Sequence, residues 1–427
     1  MGLGATIAPR GPKALSGAIS STQPGPPPVG SRIAMDVKFS EEQEMLRESA
    51  RSVLEQECPM ALVRAQLDDT RGLPEALWQR MAELGWLGMI VPERYGGSDL
   101  GMVDLALLLE QMGRVLCPGP FLSTALVGAL ALRLGAGEAQ CQTLLPALVR
   151  GELRLALAQV ETAADWGPGG IQMRARAENG GYRLDGQKCF VVDAPSADQL
   201  IVAARTGDAE EDPRAGISLF LVETQAPGLH RRPIAFVEQI RKLAEVSFDA
   251  VRVPESALLG PLHGGWSLLE RLHDHARVGL CAEASGAAER VLELSVAYAK
   301  TREQFGQAIG RFQAIQHKCA DMLVASEGIR SAAYYAAWAL AENEPDVHTT
   351  ACLANAHCSE AWVKVAGDGI QIHGGLGFTW EEDLHLYFKH ARAAELAFGS
   401  PAHQREIAAQ TLIGPLSGAS SPPPALG

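Results

Sequence analysis

Residues 171–192 read IQMRARAENGGYRLDGQKCFVV, and their pattern decides the fold class. Ile171, Met173, Ala175 and Ala177 alternate with Gln172, Arg174 and Arg176, the two-residue period of a half-buried strand. Asn179-Gly180-Gly181 tolerates the positive φ of a tight hairpin turn, so the chain folds back through Tyr182–Leu184 and Cys189–Val192. Outward from this hairpin, further short strands fit 198–204, 216–222 and 244–253, and the block reads as a small β-barrel or sandwich.

On either side the period is helical. Ser40-Glu41-Glu42-Gln43 is a capping box, in which the Ser hydroxyl and the Gln side chain satisfy orphan backbone donors. Pro74 suits a first helical turn and Gly85 a helix stop, and apolar helices follow at 102–115, 122–135 and 138–150. From residue 265 long helices fit 265–300, 312–342, 347–372 and 382–396, with a last one at 402–413. Ala, Leu and Val on most of their faces suit a buried antiparallel bundle. Helices, then strands, then long helices make an α+β chain. The divisions are a helical domain over 35–152, a β-domain over 153–253 and a helical bundle over 254–413. Residues 1–34 and 414–427 are rich in Gly, Pro and Ser and read as a disordered extension and tail, with Met35 a candidate start.

Composition narrows the function. Of the 427 residues 47% are hydrophobic, and the net charge is −13, which argues against nucleic acid or an anionic membrane as partner. No run reaches the roughly 18 apolar residues of a membrane span. The eight cysteines form no CxxC pair and the eleven histidines no HExxH. The chain therefore reads as a protein with reduced thiols, no metal site and a cytoplasmic location. GxGxxG, GxxxxGK[ST] and GxSxG are all missing, so Rossmann, P-loop and hydrolase-elbow chemistry lack their fingerprints.

Several motifs in order resemble the acyl-CoA dehydrogenase family across residues 36–413. They are Val91-Pro92-Glu93-Arg94-Tyr95-Gly96-Gly97, Asp185-Gly186-Gln187-Lys188, and Val253-Pro254 through Gly265-Trp266. The more specific ones are Arg302-Glu303-Gln304-Phe305-Gly306-Gln307 with Phe312-Gln313, and Gln371-Ile372-His373-Gly374-Gly375. The resemblance implies a helical domain, a middle β-barrel and a C-terminal four-helix bundle, assembled as a tetramer. It implies FAD at a dimer interface, an acyl-CoA thioester as substrate, a role in lipid β-oxidation, and electron-transfer flavoprotein or a similar acceptor. A carboxylate removes the thioester α-proton, and the β-carbon gives up a hydride to the flavin. By the resemblance, Arg302 meets the pyrophosphate of a neighbour's FAD, and Phe305, Phe312 and Gln313 adjoin it. Gln371, Ile372, His373, Gly374 and Gly375 lie against the same ADP half, and Asp274 with Arg277 belongs to the acyl-CoA site.

The pattern departs at the chemistry. The family's Glu before Gly-Thr is replaced in Ala397-Phe398-Gly399-Ser400 by Phe398, and the alternative position before Arg277 is Ala276. The flavin-facing Trp-x-Thr is Phe190-Val191-Val192, so a methyl stands for the hydroxyl. No catalytic residue is therefore assigned. The half-site offered to a neighbour is kept while the chain's own is eroded, which suggests the base-lacking subunit of an α2β2-type complex with a Glu-bearing homologue. Gly377-Phe378-Thr379-Trp380-Glu381, Lys389 and Glu395-Leu396 resemble the subgroup acting on steroid side chains. Still open are a self-sufficient homo-oligomeric enzyme with a displaced base (Glu283 or His275), a non-oxidative acyl-CoA elimination or hydration, and a non-catalytic partner.

Overall fold

The computed structural model describes residues 38–209 and 211–414, so the extension over 1–34 and the tail beyond residue 414 lie outside the described residues. The first helix, α1 (Glu41–Glu57), starts where the capping box sets it: Gln43 N donates to Ser40 Oγ at 3.2 Å and Ser40 N to Gln43 Oε1 at 3.1 Å. Then come α2 (Met60–Leu67), α3 (Glu75–Glu83) and α4 (Met102–Arg114). Gly85, at φ 75°, turns the chain after α3. The helix expected over 122–135 is divided: Leu122–Gly128 is a π-helix, and only α5 (Ala129–Gly135) is α-helical. Thr124 Oγ1 bonds both Leu155 N (3.0 Å) and Leu155 O (3.2 Å), so the widened turns are tied to the sheet. Helix α6 (Glu138–Val149) completes this part.

The sheet strands are β1 (Leu155–Ala158), β2 (Arg174–Glu178), β3 (Gly181–Val192), β4 (Gln199–Arg205), β5 (Ile217–Glu223), β6 (Leu229–Ile234), β7 (Leu243–Pro254) and β8 (Leu258–Leu259). Their order is β6-β7-β3-β2-β4-β5-β8, with β1 added parallel to β4. One face of these strands buries a core of its own that includes Ala156, Leu184, Val202, Phe220 and Val246. Each fully buried Leu or Phe there contributes about 1.5–3 kcal/mol. The 179–180 turn has φ of 49° and 78°, as a two-residue hairpin turn requires. Strand β2 starts later than its alternation suggests. The Glu161 carboxylate takes the N–H groups of Gln172 and Met173 at 3.0 and 2.9 Å, so those residues leave the ladder.

Helix α7 (Gly265–Thr301) leads through a small hairpin, β9 (Glu303–Gln304) and β10 (Gln307–Ala308), to α8 (Gln313–Ala341) and α9 (Val347–His373). Helices α10 (Leu384–Leu396) and α11 (Pro401–Ile413) close the bundle. Leu269, Leu272, Ala276, Val278, Ala287 and Val291 are fully buried on several faces of α7, which explains its apolar composition all round. It crosses α4 at backbone contact: a Cβ on Gly113 would lie 2.0 Å from Glu283 O, and one on Gly286 1.7 Å from Glu110 O. From Phe39 onward the described residues form one compact unit. All eight cysteines are free, and no described helix is long and apolar enough to cross a membrane.

Candidate active site

Where β3 faces α7 and α10, a cavity of about 490 Å³ opens. That is the size of a small-molecule site. Phe190 and Val192 of β3 line it, with Val160 and Trp166 from the loop after β1, Leu122 and Val127 from the π-helix, Leu280 of α7, and Ala394, Ala397 and Phe398 at the end of α10. The β3–β7 register shifts between Lys188 and Val191, and this bulge carries Phe190 at φ 52° with 46% of its surface exposed. Bulges re-aim side chains in this way beside functional sites. Buried Lys188 anchors the facing loop, donating to Gln159 O at 2.9 Å and Glu161 Oε1 at 2.7 Å. Burial first of all lowers the pKa of this ammonium, to about 8, against the pull of Glu161.

The two positions at which the resemblance implies a base carry no carboxylate: Phe398 and Ala276 occupy them. Phe398 sits on the cavity wall at φ 57°, its ring 5.1 Å from Trp166 and 5.7 Å from His273. Ala276 is fully buried in the bundle core. His273 is buried, bonded to the Gln159 side chain and kept neutral by desolvation. The two displaced-base candidates also lie off the cavity wall. His275 Nδ1 is 2.8 Å from Arg271 O, and Glu283 is held by Arg241 Nη2 at 2.5 and 2.6 Å.

Asp274 and Arg277 do come together, at 2.9 Å, both nearly fully buried. They sit behind the wall: Arg277 Nη2 reaches Phe398 O at 3.4 Å, and neither residue lines the cavity. His348 Nδ1 is 2.9 Å from Asp274 Oδ1, and this hydrogen bond raises the imidazole pKa. Asp274, His348 and Cys352 bring three ligand-type atoms within 4.8 Å: His348 and Cys352 stand one turn apart on α9 and Asp274 reaches them from α7. The cation on Asp274 Oδ1 here is the Arg277 guanidinium. Burial drives the Cys352 thiol up to about 11, away from the thiolate a metal needs.

The other end of the cavity is polar. Glu238, Arg241, His390 and Ser123 line it. Glu238 accepts the N–H of Ile240 at 2.8 Å and of Arg241 at 3.1 Å, and burial raises its carboxyl to about 7. Behind Ser123, which bonds it at 2.5 Å, Asp193 is pushed up to about 6 by the same cause. Burial works against the Arg241 charge, but Glu283, Asp193 and Glu238 outweigh it and raise its pKa. Sequence reasoning missed this end because its members come from four separate segments.

A second locality gathers the remaining residues. Tyr298 of α7 stacks on His373 of α9 at 4.2 Å, bringing the ends of those helices together. Arg302 caps α7 in the open, and its guanidinium has no hydrogen-bond or ion-pair partner among the described residues. The Phe305-Gly306 turn of the β9–β10 hairpin has φ of 54° and 77° and leaves Phe305 92% exposed, 6.1 Å from the Phe312 ring. Gln313 and Gln371 are exposed, as are Gly374 and Gly375, where an added Cβ would meet nothing within 4 Å. Ile372 and His373 instead turn their side chains into the core. None of these residues lines the cavity.

Known proteins resemble this chain along most of its length. Three family profiles match: acyl-CoA dehydrogenase N-terminal domain over residues 40–152, middle domain over 156–251 and C-terminal domain over 263–413. The chain is 34% identical over 388 residues to a probable acyl-CoA dehydrogenase, YngJ, of Bacillus subtilis (strain 168), covering 89% of this chain and 100% of that one. Among solved structures, the FAD complex of PigA superposes with a TM-score of 0.82 at 27% identity, covering 89% of this chain and 100% of that one. A variant of the steroid ACAD Tcur3481-Tcur3483 superposes at 0.77 with 30% identity, covering 87% and 98%.

Proposed function

The chain belongs to the acyl-CoA dehydrogenase family of oxidoreductases acting on CH–CH bonds, and from that premise we propose that it is the base-lacking subunit of a heteromeric, FAD-dependent acyl-CoA dehydrogenase. The observation that carries the subunit role is Phe398, an aromatic ring on the cavity wall at the position where the resemblance puts the family's carboxylate. Removing a thioester α-proton needs a base held against it in a dry pocket, and a phenyl ring is no base. Among the described residues two carboxyls line the cavity, and neither stands in for it. Asp165 is exposed and caps Gly167 N at 2.8 Å, while Glu238 lies at the polar end.

The residues present fit FAD in two separate halves. Phe190 offers an exposed aromatic face and Val192 an apolar neighbour for a planar ring system within the chain's own cavity. Arg302, with Phe305, Phe312, Gln313, Gln371 and the bare backbone of Gly374-Gly375, suits the ADP half of a partner's cofactor. A guanidinium forks onto phosphate oxygens, and glycine lets backbone approach closely. FAD, when bound, would supply the redox step, accepting the hydride of the thioester β-carbon while the carboxylate of the Glu-bearing homologue takes the α-proton. This chain lines its own cavity with Trp166, Phe398 and Leu122 and holds the Phe398 loop through Arg277 and Asp274. The complex passes electrons to an electron-transfer flavoprotein or similar acceptor. The likeness to a steroid ACAD with two named components supports the division of labour.

The test is expression of the chain alone and together with a Glu-bearing homologue, each loaded with FAD and assayed for acyl-CoA oxidation. Turnover only in the joint preparation is the expected result, and robust turnover by the lone chain overturns the subunit role. One observation favours a second reading, a self-sufficient enzyme. His403 lines the cavity beside Phe398, and burial above all lowers its pKa, leaving a neutral imidazole able to accept a proton. Loss of lone-chain turnover in His403→Ala would establish that reading.

A further inference from the structure

His348 and Cys352 of α9 lie off the cavity wall and have no part in the function proposed above. They are four residues apart, so their side chains share one face of the helix. Asp274 of α7 meets that face, with His348 Nδ1 2.9 Å from Oδ1 and 3.0 Å from Oδ2. One ligand atom from each of the three lies within 4.8 Å of the other two. Helical bundles build their metal sites this way, from side chains on facing helices. A thiolate, an imidazole and a carboxylate hold zinc with a fourth position left to water. Calcium and magnesium, which take oxygen ligands, do not suit the sulfur and the nitrogen.

The surroundings of the cluster fit as well. His348 Nε2, the ring nitrogen turned away from Asp274, is 4.0 Å from Glu270 Oε1. A metal-bound imidazole turns its second nitrogen to a carboxylate in the same manner, which fixes the ring for coordination. Arg277 takes Asp274 Oδ1, and the second oxygen keeps lone pairs for a metal. A divalent cation is balanced by the Asp274 carboxylate and a Cys352 thiolate, so the Arg277 guanidinium gains no uncompensated neighbour. Without a metal, Cys352 stays a thiol in its buried setting. A coordinating thiol is deprotonated outright, and its proton goes to solvent together with the one His348 carries when charged. His348, with 29% of its side chain exposed, gives an ion its way in from solvent.

We propose that Asp274, His348 and Cys352 form a binding site for a thiophilic divalent cation, zinc by its ligand types. The site stands apart from the acyl-CoA reading, and either can fail without the other. It is tested on the FAD-loaded protein, in complex with its partner if one co-purifies, by equilibrium dialysis against zinc and by X-ray absorption at the zinc edge. The expected result is one zinc per chain, with a single sulfur neighbour at about 2.3 Å and nitrogen or oxygen neighbours at about 2.0–2.2 Å. Cys352→Ser should remove the sulfur shell, and His348→Ala should weaken binding beyond the roughly 10–100-fold of an outer-shell loss. Cys319→Ser, which alters a half-buried thiol outside the cluster, should change neither readout. Lack of stoichiometric zinc in the unaltered protein, or a bound zinc with no sulfur neighbour, overturns the site without recourse to any variant. A sulfur shell that survives in Cys352→Ser overturns it too.

Discussion

Replacing Phe398 by Glu should turn a poor α-proton acceptor into a working one. The ring it removes is half-buried, 5.1 Å from Trp166 and 5.7 Å from His273. Two such aromatic contacts are worth about 0.5–1.5 kcal/mol each, and the lost apolar area adds a comparable amount. The cost to stability is therefore on the order of 2–6 kcal/mol, against the roughly 5–15 kcal/mol of a typical domain. The new carboxylate would stand next to Arg277, whose Nη2 already reaches Phe398 O at 3.4 Å, and a nearby guanidinium favours the ionised form. A placed general base contributes about 10²–10⁴ in rate. The assay is reduction of an artificial electron acceptor by FAD-loaded Phe398→Glu and by the unaltered chain, with acyl-CoA thioesters spanning short, branched and cyclic acyl groups. A gain of about 10² or more is expected. A variant that folds, holds flavin and binds thioester, yet turns over within about tenfold of the parent, refutes the idea that a missing base limits this chain.

Other outcomes follow from the same geometry. Lys188→Met leaves Glu161 and Gln159 O without their cation at a fully buried position, so denaturant unfolding should show a loss of about 3–5 kcal/mol. Glu238 and Asp193 keep protons in the folded state, at about 7 and about 6, that the unfolded chain releases near about pH 4. Their contribution is complete below about pH 4 and is lost as pH rises to about 7. Glu238→Gln should therefore match the parent at pH 4 and exceed it at pH 8 by on the order of 3 kcal/mol in equilibrium unfolding. Arg302→Ala touches no partner within the chain, so thermal stability of the chain should hold while FAD retention by the assembled protein weakens about 10–100-fold, read by flavin absorbance after gel filtration.

Local signals proved legible where a local cause sets the structure. The capping box placed the start of α1, the Asn179-Gly180 turn placed the β2–β3 hairpin, and the all-round apolar faces of α7 and α9 announced buried helices. The run at 171–177 misled by its first residues because a side chain eleven residues earlier, Glu161, captures their N–H groups, and no periodicity carries that information. The helix at 122–135 looked uniform because a π-helix has the same apolar composition as an α-helix; its packing on Leu155 is tertiary.

The candidate site divides along the same line. The sequence by itself determined the family, and it carried the Arg302 and Gln371–Gly375 motifs with Phe398 and Ala276 where the resemblance expects a carboxylate, because each is a local signature. Only the tertiary structure decided that Asp274 and Arg277 stand behind the cavity wall, that Glu283 is already committed to Arg241, and that Ser123, Glu238, Arg241 and His390 share one end of a single cavity. Those residues are scattered from position 123 to 390, and what joins them is the close α4–α7 crossing and the packing of the sheet against α7 and α10. Burial then sets their chemistry: the same carboxyl that would be ionised in water holds its proton to about pH 7 when the fold takes its solvent away.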